Sequence, residues 1–78
     1  MKMNVKELVL NEFHNLGWHC HKNDFDPVKT ECRLYRFRGI LWALSETKQI
    51  TKEYRDLMSR NAFRIFDKAY RKYMENAE

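Results

Sequence analysis

Apolar residues recur along this chain at intervals of three and four, in three blocks separated by turn formers, and that period predicts helices. In the first block Val5, Leu8, Val9, Phe13 and Leu16 fall on one face. Asn4 can cap its start, Glu7 three residues on completes a capping-box pattern, and Gly17 stands where a left-handed residue is wanted after a helix end. The middle block opens on Asp26-Pro27, a favoured N-cap followed by a residue whose missing N–H costs nothing in the first turn. From there Leu34, Phe37, Leu41 and Leu44 form one apolar stripe. Val28, Cys32, Tyr35 and Trp42 form a second on another side, with Arg38 and Gly39 among them. A surface helix normally carries one stripe, so two mean either burial between two neighbours or a face kept for a partner.

The middle helix is expected to run to about Lys48. Thr51 then caps a last helix on which Tyr54, Met58, Ala62, Ile65, Phe66, Ala69 and Tyr73 line up. Ser59 or Asn61 could divide it, because both compete for backbone hydrogen bonds in helix interiors. The final Glu-Asn-Ala-Glu is expected to fray. The pattern therefore predicts one all-α domain over residues 1–78, of three helices or of four if the last is divided. Its central helix would be packed on two sides, which explains the double stripe without any ligand. Between the first two helices lies Trp-His-Cys-His-Lys-Asn-Asp-Phe-Asp, a connector whose Trp18 and Phe25 are expected to fold back onto the core. Alternation over Thr30 to Phe37 leaves a short extended pairing as the other reading there.

Seventy-eight residues are near the size at which one core is only marginally sufficient. The 14% aromatic share offsets this, since each buried ring removes a large area from water. No apolar run approaches a membrane span, and Met-Lys-Met-Asn-Val-Lys lacks the apolar centre of a signal peptide. The expectation is a cytoplasmic protein with no membrane contact and two free thiols, Cys32 buried on the second stripe.

Fifteen Lys and Arg against eleven Asp and Glu leave a net charge of +4, which favours acidic partners. Arg33, Tyr35, Arg36, Phe37, Arg38 and Trp42 interleave guanidinium groups with rings, the composition of nucleic-acid surfaces and of protein–protein hot spots alike. The plainer reading is a buried helix whose arginines reach outward beside their aromatic neighbours. Arg60, Arg64, Lys68 and Arg71 form a ridge on the last helix that could track phosphates. Asp56 and Asp67, each four residues before an arginine, make an ordinary ion-paired solvent face the favoured reading. His14, His19, Cys20, His21 and Cys32 are metal-ligand types, but without C-x-x-C or H-x-x-x-H spacing no metal or other cofactor is expected. Ser45 and Ser59 lack a nucleophile's context and no glycine-rich phosphate loop is present, so an enzyme is not expected.

The Lys48-Gln49-Ile50-Thr51-Lys52-Glu53-Tyr54 turn between two helices resembles a layout common in small helical proteins of bacteriophages and other mobile elements, over roughly residues 34–58. The resemblance implies regulation of transcription, or binding and inhibition of a host machine, and assigns no residue a role. Read as a helix-turn-helix, the same layout departs from pattern: the connector lacks Gly, and Glu53 in the first turn would repel phosphates. The favoured expectation is a non-catalytic binding protein docking a basic, aromatic helical surface onto a larger protein or nucleoprotein. Tyr35, Arg36, Arg38 and Trp42 would carry it, with Arg60, Arg64, Lys68 and Arg71 contributing. Direct DNA or RNA binding is the alternative, and a homodimer through Phe63, Tyr70 and Met74 the third reading.

Overall fold

Each helix begins where a side chain takes up its first free N–H groups. Asn4 Oδ1 accepts from the Glu7 N–H at 2.8 Å, Asp26 Oδ1 from Val28 and Lys29 at 3.0 and 3.1 Å, and Thr51 Oγ1 from Tyr54 at 3.1 Å. The computed structural model describes residues 4–76, and these caps open α1 (Val5–His21), α2 (Pro27–Glu46) and α3 (Lys52–Asn76). Residues 30–37 are helical, so the extended pairing does not form.

Two local expectations are corrected, the helix stop at Gly17 and the inward turn of Trp18. Helix α1 does not stop at Gly17; it continues one turn to His21, and no glycine among the described residues has a positive φ. The reason is burial, because the extra turn places Cys20 in the core four residues after Leu16. That turn also carries Trp18 outward to the solvent, while Phe25 does fold back, against Phe66 and Tyr73 at 6.1 and 5.7 Å. Helix α2 ends at Glu46, just short of Lys48. There the Gln49 N–H bonds the Leu44 carbonyl and the Lys48 N–H the Ser45 carbonyl, with Lys48 left-handed at φ 61°, an arrangement that usually takes glycine. Helix α3 is not divided at Ser59 or Asn61: Ser59 is buried against the other helices, and packing overrides its weak propensity. At 25 residues α3 is the longest element, about 37 Å at 1.5 Å per residue. Glu75 and Asn76 belong to it, and the remaining positions expected to fray lie outside the described residues.

The helices form an up-down-up bundle in which each packs on the other two. Phe13 meets Phe37 across α1 and α2 at 5.9 Å, and Trp42 with Arg55 and Tyr35 with Phe63 pair α2 antiparallel to α3 along its length. A helix-turn-helix would splay these two helices instead. The core consists of Val9, Leu16 and Cys20 from α1, Thr30, Leu34, Phe37 and Leu41 from α2, and Met58, Ser59 and Ala62 from α3. Small residues on α3 let it approach closely.

Helix α2 therefore does contact a neighbour on each flank, mainly through the Leu34–Phe37–Leu41 stripe, with Tyr35 and Trp42 of the second stripe adding contacts to α3. Because α1 and α3 also touch each other, both lie on the Leu34–Phe37–Leu41 side. Most of the second stripe stays outside: Val28, Cys32 and Tyr35 are exposed, while half-buried Trp42 packs against the edge of the core. Cys32 is thus an exposed thiol, not the buried one expected, and it is Cys20 that is buried. No helix among the described residues is long and apolar enough to cross a membrane.

Candidate interaction surface

With most of the second stripe left outside the core, its exposed aromatic and basic residues need another account. Arg38 and Trp42 are four apart on α2, and the arginine's guanidinium carbon sits 4.8 Å from the indole centroid. Arg55, from the first turns of α3, lies over the same ring at 4.3 Å. Its Nε donates to Asp56 Oδ1 at 3.0 Å and its Nη1 to Ser45 Oγ at 3.4 Å, so this guanidinium is charge-paired and only 15% exposed. Trp42 is therefore a strut between two helices, with two cations attracted to its ring. Two turns earlier on α2, Tyr35 stands 51% exposed. Phe63 holds it from α3, edge-on at 6.0 Å and 82°. Phe63, Tyr70 and Met74 follow one side of α3 at helical spacing, Tyr70 stacked on Phe66 at 6.0 Å, and Tyr70 and Met74 are exposed. The flank of the α2–α3 hairpin thus presents a line of rings with one guanidinium beside it.

The basic ridge lies elsewhere. Arg60, Arg64, Lys68 and Arg71 all face solvent on the side of α3 turned from the core. Arg71 Nη2 pairs with Asp67 Oδ2 at 3.1 Å, as the spacing predicted. The expected Asp56–Arg60 pair does not form, because Asp56 is taken by its neighbour Arg55, which Trp42 and Ser45 hold in place. Asp67 and Glu75 interleave the ridge cations around one shallow hollow.

Arg36 joins neither group. It points to the far side of α2, into a shallow groove with Lys29, Cys32 and Arg33 of that helix and His19 and Lys22 of α1. The eight residues expected to form one surface are therefore split among three: Tyr35, Arg38 and Trp42 on the α2–α3 flank, the four ridge cations on α3, and Arg36 in the α1–α2 groove. Arg55, Lys22 and Lys29 complete these surfaces and were not among the expected residues, while Phe63 was expected only in the homodimer reading. The i, i+4, i+7 spacing of Lys29, Arg33 and Arg36 was a legible signal; the contributions of Arg55 and Lys22, which cross between helices, had none.

His19 and Cys32 share the α1–α2 groove, but His14 and His21 are exposed outside it and Cys20 is buried, so the five metal-ligand types do not converge. Among the described residues no group of three His, Cys, Asp or Glu side chains is placed to hold a metal ion. Comparison with protein-family models, with curated proteins and with solved structures finds no match to this chain.

Proposed function

We propose that this protein is a non-catalytic binding protein that docks the α2–α3 flank onto a larger protein, as a regulator or inhibitor does. The observation that carries the reading is Tyr35, half out of water yet fixed edge-on by Phe63, beside the Arg38–Trp42–Arg55 stack. A ring already held in place loses little entropy when a partner covers it. Covering its exposed half removes on the order of 100 Å² from water, about 2 kcal/mol. Tyr, Trp and Arg are also the residue types that dominate protein–protein hot spots. Since Asp56 neutralises Arg55, the flank is more aromatic than basic, which favours a protein over a nucleic acid at this surface.

A photo-cross-linking residue in place of Tyr35 tests the reading in native cell extract. The expected result is one cross-linked protein, displaced by excess wild-type chain and not by a Tyr35→Ala, Arg38→Ala variant of unchanged melting temperature. Cross-links only to other copies of the chain, with a mass that rises with concentration, would assign the flank to a homodimer. Cross-links to nucleic acid alone would replace the protein partner by DNA or RNA.

A further inference from the structure

The groove on the other side of α2 has a different make-up. Lys29, Arg33 and Arg36 share one face of that helix, and Lys22 enters from the C-cap of α1. Four cations line the groove together with His19, Val28 and Cys32, and no carboxylate does. Two of them act on His19: after partial desolvation, the charges of Arg33 and Lys22 hold its imidazole below its ordinary pKa. Like charges gathered without an acid among them repel, a cost to the fold that an anionic ligand relieves. The α3 ridge differs on this point, because Asp67 and Glu75 stand among its cations.

The groove also ends at an exposed ring. Trp18 is 62% exposed, with His19 edge-on at 4.8 Å and the Lys22 ammonium 5.5 Å from its centroid. Both contacts come from groove residues, so a stacking platform is fixed beside the line of cations. A cationic track with an aromatic platform is how single strands are held, phosphates along the track and a base on the ring. An acidic peptide would use the cations and leave the indole idle. A duplex would do the same, since its bases already stack on one another.

We propose that this groove binds single-stranded nucleic acid, with phosphates on Lys22, Lys29, Arg33 and Arg36 and a base stacked on Trp18. The site is separate from the protein-docking flank and does not depend on it.

The test titrates a labelled oligothymidylate of about a dozen nucleotides, within the usual span of a small single-strand site, into the full chain across a salt series. Four neutralised phosphates, at about 0.7 each, give an expected log–log salt slope near −3. Arg33→Gln with Arg36→Gln should roughly halve that slope, whereas Trp18→Ala should weaken binding about tenfold and leave the slope unchanged. Arg60→Gln with Arg64→Gln should change neither. All the substituted side chains are exposed, and melting curves check that each variant folds. A footprint on the wild-type chain needs no variant: bound oligonucleotide should slow alkylation of Cys32. Cys20 does not interfere, because it is buried and desolvation pushes its thiol up to about 11. Loss of binding in the ridge variant but not in the groove variant overturns the proposal, as does an absence of Cys32 protection at physiological salt. Equal binding of polyglutamate would reassign the groove to acidic peptides, and tighter binding of duplex with Trp18→Ala silent would reassign it to double strands.

Discussion

His19 sits between Arg33 and Lys22 with its ring partly desolvated, and both conditions disfavour its protonated form. In the unfolded chain the same imidazole titrates near its ordinary value of about 6.5. As pH falls through that value the unfolded state takes up a proton first, so it binds more protons than the folded state and stability declines. The contribution is complete above about 6.5 and is lost progressively down to the lower native pKa. Thermal melts between pH 7.5 and 5.5 should therefore show a falling midpoint that His19→Gln makes shallower. An identical pH profile in the variant would mean that the two cations do not act on this ring in solution.

Within the elements, glycine and left-handed backbone are mismatched. Gly17 lies inside a helix, and a Cβ built on it meets nothing within 4 Å. Gly17→Ala should stabilise the protein by about 0.5–1 kcal/mol, because alanine loses less freedom on folding. Lys48 is the reverse case, a residue with a side chain at φ 61° in the C-terminal cap of α2. Lys48→Gly should relieve up to about 1 kcal/mol of steric cost, partly offset by a more flexible unfolded chain. Urea midpoints read both effects, provided the transition slope is unchanged. A destabilising Gly17→Ala would show that α1 breaks at residue 17, as its sequence suggests.

For the molecule as a whole, α2 separates a face that holds the bundle together from a face that does not. Phe37 is 1% exposed at the meeting point of all three helices, and Phe37→Ala should cost about 3–5 kcal/mol. That is most of the stability a domain of this size commands. Tyr35, two residues away, should cost no more than about 1 kcal/mol as alanine, in line with other surface changes. Half-buried Trp42 should fall between them, as its ring packs on Arg55 and against the edge of the core without being enclosed by it. Equal losses for Tyr35→Ala and Phe37→Ala in a denaturation experiment would place the second stripe in the core and remove the basis for a docking flank.

The helices, their three N-caps and the main stripe of Leu34, Phe37 and Leu41 were legible in the chain, since period and capping involve residues no more than four apart. The Asp67–Arg71 pair was legible for the same reason. Tertiary packing decided the rest. A local stop at Gly17 gave way to burial of Cys20, and Asp56 turned to Arg55 because Trp42 and Ser45 hold that guanidinium. A double stripe is compatible with neighbours on opposite sides of α2 or on one side. Only contact between α1 and α3 selects the latter, leaving Tyr35 and Cys32 in solvent. The groove arises the same way, with Lys22 from one helix meeting Arg33 and Arg36 from another. Spacing along one helix fixes which residues share a face; which face meets water depends on contacts between residues far apart in the chain.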